Sequence, residues 1–387
     1  MDDNELDFLE EEKKENMDEL QNSDSYDFDT FSQICKIKVI GIGGGGNNAI
    51  NRMIENGLQG VEFWVANTDM QVLIASKTKN RLNLGKNITK GLGAGANPEI
   101  GKQAALESED KIKEILQGSD MVFLAAGMGG GTGTGATPVF AKLAKEMGIL
   151  TIGIVTRPFT FEGKNRNSHA TEGIQELKKY VDSLIIVSND KLLSMNGAIP
   201  MKDSFKLADD VLRQSVQSIT DLVAVPATIN LDFADVRTVM SDKGTAMIGF
   251  GKGTGPTKAV DAANKAISSP LLESSFLGAR NAIINITGGS SVTLYDATDA
   301  VEIIRRAAGT DLNTIFGFSI NEALEDEMIV TVIATDFDEE VLRKGAEAEP
   351  TRRVAVQERL TFEEAPIVKE EKKEDYLPSF LREMDED

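Results

Sequence analysis

Cysteine and histidine are almost absent from this chain, which has one of each, Cys35 and His169. A lone cysteine makes no internal disulfide and builds no cysteine-rich zinc site; it fits a reducing, cytoplasmic setting. A lone histidine excludes an HExxH metal site and leaves little room for a Ser-His-Asp triad. His169, in Asn-Ser-His-Ala, reads as a surface or cap residue, and Cys35, just before a strand, as a small packing residue. No apolar run approaches the ~20 residues of a membrane-spanning helix. The opening MDDNELDFLEEEKKENMDEL has neither the basic end nor the apolar centre of a secretory signal. Positive charge is also lacking: the formal net charge is −21. Duplex DNA is bound through a basic face that displaces counterions, so no nucleic-acid partner and no direct membrane insertion are expected.

What is present suits a globular chain. Its 387 residues are 41% hydrophobic and 27% charged, enough for two or three domains with full cores. The acidity sits at the ends. Residues 1–31 carry 13 acids and 2 bases, and residues 338–387 carry 16 acids and 9 bases, leaving the body with a net of only −3. Both ends read as solvated, disordered segments.

Short β-rich runs punctuate the first half: Lys36–Ile42, Val61–Ala66, Met121–Ala126, Leu150–Val155 and Ser183–Val187. Helix-like stretches such as Asn47–Glu55 and Pro138–Met147 separate them. Such alternation predicts an α/β fold with a parallel sheet covered on both faces, and in these sheets ligands sit beyond the carboxyl ends of the strands. Residues 203–225 form one long amphipathic helix, with Leu207, Val211, Val216, Ile219, Leu222 and Val223 on its apolar stripe and Pro226 at its end. A smaller mixed α/β domain follows, with strands at Ala282–Thr287, Thr314–Ser319 and Met328–Ala334 and helices at Ala259–Ser268 and Ala297–Ala308.

Glycines carry the chemistry. The run Gly41-Ile-Gly43-Gly44-Gly45-Gly46-Asn47-Asn48 follows a strand and opens a helix. It satisfies GxGxxG, which serves a dinucleotide fold, a phosphate cradle, or merely a tight turn. A second run, Gly127-Met-Gly129-Gly130-Gly131-Thr132-Gly133-Thr134-Gly135, repeats the setting with two hydroxyls added. A third candidate is Gly91-Leu92-Gly93-Ala94-Gly95-Ala96-Asn97-Pro98. Three such loops at one sheet edge suit a chain of three phosphates. No GxxxxGK[ST] occurs, so this is not a Walker loop, and Asn189-Asp190-Lys191 resembles the base-reading NKxD only superficially. Farther on, Asn230-Leu-Asp232-Phe-Ala-Asp235-Val-Arg237 precedes a predicted helix. Aspartates three apart share a face and could polarise water or bind a cation; they could equally cap the helix.

At Gly129–Gly135 the GGGTGTG sequence is the signature of the tubulin superfamily, and residues 36–337 resemble the FtsZ family of polymerising cell-division GTPases. The resemblance extends over Gly44–Asn48, Asn67-Thr-Asp69, the Gly91–Pro98 loop, Phe161-Glu162-Gly163-Lys164 with Arg166, Asn230–Val236 and a terminal peptide beginning Asp-Tyr-Leu. It implies a Rossmann-like GTPase domain joined by a central helix to a smaller domain, GTP and GDP as ligands with Mg²⁺ held mainly by GTP and K⁺ as a further cation, and a head-to-tail homopolymer. It also implies site roles. Gly44, Gly45, Gly46, Asn47 and Asn48, Gly91, Leu92, Gly93, Ala94 and Gly95, and Gly130, Gly131, Thr132, Gly133 and Thr134 would surround the phosphates, with Thr132 supporting the γ-phosphate or Mg²⁺. Asn67 and Asp69 would join them, Glu162 and Arg166 would contact the ribose and phosphate region, Phe205 would stack on guanine and Asp210 would accept from its edge. Asn230, Asp232 and Asp235 would act on the neighbouring subunit's GTP.

By the same resemblance, Tyr376, Leu377, Phe380 and Leu381 would dock on a membrane adaptor or division regulator, at the midcell division site beneath the inner membrane. Here Leu377 meets Pro378 directly, where the family usually has two more residues between them. The implied organisation is an acidic disordered extension (1–34), a GTP-binding domain (35–202), a central helix (203–226), a C-terminal GTPase-activating domain (227–337), a flexible linker (338–373) and an adaptor-binding peptide (374–387). Two rivals compete with this reading. A nicotinamide-dependent oxidoreductase would use Gly41–Gly46 but has no task for GGGTGTG. A GTP-binding scaffold without turnover has none for the aspartates.

Overall fold

A computed structural model describes residues 35–337, apart from 197–199, 225–228, 230, 231, 269–275 and 310. In chain order the elements are β1 (Ile37–Ile42), α1 (Gly43–Glu55), β2 (Glu62–Asn67), α2 (Met70–Ile74), β3 (Arg81–Asn83), α3 (Lys86–Thr89), α4 (Pro98–Glu107), α5 (Glu109–Leu116), β4 (Met121–Gly127), α6 (Thr132–Glu146), β5 (Leu150–Arg157), α7 (Lys164–Leu177), β6 (Ser183–Ser188), α8 (Asn189–Asn196), α9 (Met201–Ala224), α10 (Phe233–Met240), β7 (Gly244–Thr254), α11 (Lys258–Ile267), β8 (Ala279–Gly288), α12 (Leu294–Ala308), β9 (Asn313–Ile320) and β10 (Glu327–Phe337).

The strands make one ten-stranded sheet in the order β3-β2-β1-β4-β5-β6-β7-β10-β8-β9. From β3 to β6 every pairing is parallel, and β7 joins β6 through only Ser183–Ile185 against Gly244–Ala246. β10 then runs antiparallel between β7 and β8, and β9 lies parallel to β8. The chain leaves β1 toward β2 on one side and reaches β4 on the other, so the winding reverses between β1 and β4. Such a reversal opens a crevice at the carboxyl ends of the two strands, where ligands bind in doubly wound sheets.

Alternation along β1 explains the two covering layers. Ile37 and Val39 face a core built with α1, α9 and α10, while Ile40 and Ile42 face one built with α4, α5, α6 and α7. Val211, Val216, Ile219 and Leu222 of α9 are buried in the first core, which also takes Ile248, Ile283 and Ile333 from the second half of the sheet. A third core lies under α11 and α12.

Two helices start earlier than the sequence predicts. α1 begins at Gly43 and α6 at Thr132, inside the glycine runs. Glycine is a poor helix former; here close packing selects it, since a Cβ on Gly135 would lie 1.9 Å from the Pro98 carbonyl oxygen. Pro138, which suggested a helix start, sits inside α6.

Candidate functional site

Three loops meet at the crevice, and the lack of side chains lets them meet. Gly43 has φ 73°, and a Cβ there would lie 2.7 Å from the Gly133 nitrogen. On Gly131 a Cβ would stand 2.8 Å from Ala94 Cβ and 2.9 Å from the Asn97 nitrogen. The loops after β1 and β4 therefore touch each other, and the 91–97 loop touches the second.

Side chains brace this arrangement. Asn47 is fully buried, and with its amide turned to match the surrounding acceptors its nitrogen donates to the Gly41 and Gly43 carbonyls at 2.9 Å each, so it holds the turn. Asn48 is exposed. Gly129 N–H donates to Thr134 Oγ1 at 2.8 Å. Thr132 and Thr68 share a hydroxyl–hydroxyl bond of 2.7 Å. Asn67 is buried, and its Oδ1 accepts the Asp69 N–H at 3.2 Å. Asp69 caps α2 by accepting from Gln71 N–H at 2.8 Å. The Gly91 carbonyl accepts Met70 N–H at 3.0 Å, and Gly93 N–H donates to the Thr68 carbonyl at 3.1 Å. Ala94 is buried, and Gly95 and Leu92 point outward, Leu92 at 85% exposure. The exposed floor is thus largely backbone and small residues, a surface that anionic groups can approach closely.

To one side, Glu162 takes Phe159 N–H at 2.9 Å and pairs with Arg166 at 2.7 Å. Gly130 lies near the Arg166 guanidinium, which would be 3.9 Å from a Cβ there. Phe159 stacks on Phe161 at 5.0 Å and meets Phe205 edge-on at 5.2 Å. Phe205 is 40% exposed, leaving ring surface open. Asp210 is engaged by its own helix, accepting from Arg213 Nε at 2.7 Å and Gln214 Nε2 at 2.8 Å.

Two groups here were not assigned to the site by the sequence reading, which passed over Asp209 and set Asn189 aside. Asp209 stands four residues after Phe205, on the same helical face, whereas Asp210 is rotated away. Burial pushes the Asp209 carboxyl up to about 7, opposed by Arg52 of α1. Asn189, at the carboxyl end of β6, is buried, and its Oδ1 has no hydrogen-bond partner among the described residues. Its neighbour Asp190 binds Thr160 through both the N–H and the hydroxyl, at 3.0 and 2.5 Å. Thr160 follows Phe159, so Asn189 belongs to the aromatic corner.

The aspartate pair lies elsewhere. Asp232 caps α10, accepting Asp235 N–H at 2.8 Å, and Asp235 accepts Asp232 N–H at 3.4 Å in return. The last turn of α10 is pinned by Ser183 Oγ on the Met240 carbonyl at 2.6 Å and Thr335 Oγ1 on the Val239 carbonyl at 2.8 Å. Arg237 reaches the Gly148 carbonyl at 3.4 Å, just before β5 begins. This helix therefore abuts the amino ends of the strands. The glycine loops are at the carboxyl ends, about 25 Å away for an eight-residue strand. Asn230 and residues 376–381 lie outside the described residues.

A doubly wound parallel sheet with three glycine loops at its switch point, one of them GGGTGTG, defines a GTP-binding domain of the tubulin type. Residues 36–197 match the Tubulin/FtsZ family, GTPase domain, and residues 244–338 match the FtsZ family, C-terminal domain. An FtsZ dimer from M. jannaschii is 40% identical, with 84% of this chain and 92% of that one covered and a TM-score of 0.73. A mutant of M. jannaschii FtsZ gives 40% identity, 84% and 95% coverage and a TM-score of 0.74. CetZ2 from Haloferax volcanii shares the fold at 19% identity, covering 82% and 99%, with a TM-score of 0.66. The chain belongs to the FtsZ family, and it is a GTPase that binds GTP and GDP.

Proposed function

We propose that this GTPase polymerises head to tail, and that each active site is completed between two subunits, to build a ring at the midcell division site. The observation that carries this reading is a separation: Asp232 and Asp235 sit at the sheet edge opposite the phosphate loops. A carboxylate a strand length from its own nucleotide can serve the next subunit's nucleotide in a stacked array. Such a heterologous contact does not close, so it yields a filament. The M. jannaschii FtsZ was solved as a dimer and CetZ2 as a GTPγS-bound protofilament, which supports self-association here.

In this reading the triphosphate lies on the backbone of 44–48, 91–95 and 130–134, with the Thr132 hydroxyl on its terminal phosphate. Glu162 and Arg166 hold the ribose and phosphate side, and Phe205 stacks on the base. Asp209 and Asn189 Oδ1 supply acceptors for the N–H groups of guanine, which adenine cannot match; Asp210 stays a bracing residue of α9. Asn230, Asp232 and Asp235 of the adjoining subunit orient the attacking water, so catalysis is positioning with charge stabilisation. In this reading Mg²⁺ is carried by the phosphate oxygens, with Thr132 beside it, and K⁺ is the further cation to test. The six-segment organisation, with adaptor binding through Tyr376, Leu377, Phe380 and Leu381 at the inner face of the membrane, completes the proposal. Among the described residues no helix is long and apolar enough to cross a membrane.

The test mixes two inactive proteins. Gly131→Val blocks the phosphate cradle, and Asp235→Asn disables the opposite edge. Mixed in equal amounts, they regain turnover only if one subunit's aspartates serve another's nucleotide. Turnover of the wild type should also be absent below a threshold concentration and rise steeply above it. A mixture as inactive as its parts, with wild-type turnover proportional to concentration throughout, would place a whole site in each subunit.

A further inference from the structure

The outer edge of the sheet carries a row of cations that the GTPase reaction does not use. Residues 70–98 hold five lysines and arginines and no acid: Lys77, Lys79, Arg81, Lys86 and Lys90. All five are exposed, while Thr78 and Leu82, between and beside the first three, are buried. Lys86 and Lys90 continue the row, four residues apart along α3 and its C-cap. Lys77 is paired with Glu55 at 2.6 Å, and Arg81 donates to the Thr78 and Ser76 carbonyls at 2.7 Å. Among the described residues Lys79, Lys86 and Lys90 have no ion pair. The nearby acid Glu107 is occupied by the Asn87 and Ile88 N–H groups at 3.0 and 3.2 Å. Apolar surface accompanies the charge, Ile74 being 67% and Ile88 45% exposed.

The chain itself contains the complementary segment. Residues 1–31 carry 13 acids and 2 bases, interleaved with Leu6, Phe8, Leu9, Leu20, Phe28 and Phe31. This segment joins the sheet at β1, and β1 is separated from β3 only by β2. Two strand spacings are about 10 Å, and three or four extended residues span that distance. Thr78 Oγ1 bonds the Phe63 carbonyl at 3.1 Å, near the amino end of β2, so the row begins on the side where the segment enters β1. The row ends at Lys90, immediately before the Gly91 phosphate loop and the outward-pointing Leu92.

We propose that the acidic N-terminal extension docks in cis on the cationic row Lys77–Lys90 and, resting on the head-to-tail reading above, competes there with filament assembly. Individual exposed charge pairs are weak. Tethering raises the local concentration of the extension to the millimolar range, so a weak site is occupied. Attraction between exposed charges is screened, the Debye length falling from ~10 Å at 0.1 M to ~3 Å at 1 M salt. Occupancy, and with it the brake on assembly, is therefore released by salt.

Zero-length carbodiimide coupling of the full chain, with peptide mapping, tests the docking. Crosslinks from acids in 2–29 should concentrate on Lys79, Lys86 and Lys90, stay intramolecular on dilution, and vanish near ~0.5 M salt. Crosslinks spread evenly over surface lysines, or joining two copies in proportion to concentration, would overturn it. Deleting residues 1–31 should lower the concentration needed for GTP-driven pelleting by roughly threefold at low salt, and Lys79→Glu with Lys86→Glu should do the same in the full chain. Equal thresholds for all three proteins would overturn the competition. Binding of the full chain to anionic phosphatidylserine vesicles as tight as that of the deletion variant would mean the row is open, and would overturn cis docking.

Discussion

Thr68 and Thr132 meet through their hydroxyls at 2.7 Å, in a contact that joins the turn after β2 to the glycine loop after β4. Thr68 is fully buried, and its carbonyl accepts both Gly93 N–H at 3.1 Å and the Thr89 hydroxyl at 3.3 Å. Only one proton fits between the two oxygens. If Thr68 supplies it, the Thr132 proton is free for a phosphate oxygen. Thr68→Val removes that donor at similar size, so Thr132 keeps its proton but loses the bond that orients its hydroxyl. A neutral hydrogen bond is worth about 0.5–1.5 kcal/mol, so the preference for GTP over GDP should fall by about two- to tenfold. Thr68→Ser should keep it. Competitive titration of labelled nucleotide measures both affinities, and a Val variant with wild-type preference would reduce Thr68 to a packing residue.

Gly249, Gly251 and Gly253 of β7 form a second close approach. Spaced by two, they face α11 from one side of β7. Cβ atoms there would lie 2.1, 1.8 and 2.0 Å from the carbonyl oxygens of Ala266, Ala262 and Lys258. Backbone cannot yield as a side-chain end can, so Gly251→Ala should destabilise by about 3 kcal/mol. In urea unfolding the midpoint should fall with the slope unchanged. A loss below about 1 kcal/mol would mean that α11 lifts off the strand freely.

The same glycines show why parts of the fold were hidden in the sequence. β7 went unread because four glycines in Gly244–Thr254 resemble a loop, and only the helix above them explains the choice. By contrast β1 and α9 were legible, because their apolar residues follow the periods of two and 3.6 that burial imposes. The glycine loops were readable as glycine spacing, yet their helical starts were not, since packing overrode propensity at Gly43 and Thr132. The adjacent acids Asp209 and Asp210 differ by about 100° of helix rotation, a distinction that composition cannot carry and that the position of Phe205 could have supplied. The Asp232–Asp235 spacing allowed a cap or a catalytic pair, and the reciprocal hydrogen bonds establish the cap without excluding the other role.

That double duty shapes the choice of substitution at Asp235. Alanine would remove the reciprocal bond and cost about 0.5–2 kcal/mol of helix stability. Asparagine keeps an acceptor and removes only the charge. Asp235→Asn should therefore retain stability and GTP binding while phosphate release falls by about two orders of magnitude, the scale of general acid–base assistance. Stopped-flow phosphate release on assembled protein is the check. Turnover within a factor of about two of wild type would show that Asp235 only caps its helix.

With Asp209 as the proposed reader of guanine, nucleotide affinity should depend on pH. Burial raises its carboxyl from 3.8 to about 7, with Arg52 of α1 opposing the shift and Asp210 and Arg213 tied to each other on its own helix. A raised carboxylate pKa means that the folded state holds the proton more tightly than the unfolded chain. Folding stability from this group therefore falls as pH rises from 3.8 to about 7, and is level outside that window. Guanine donates N–H groups to its reader, which favours the ionised carboxylate, so GTP binding releases a proton below about pH 7. Affinity for GTP should climb by up to about tenfold per pH unit below neutrality and level off above it. In Asp209→Asn the climb should disappear, and discrimination against ATP should weaken with it, because a carboxylate acceptor is gone. Fluorescent-nucleotide titrations from about pH 5.5 to 8 separate the outcomes. A wild-type affinity that is flat over that range, or a slope that survives in the asparagine variant, would move guanine recognition away from Asp209.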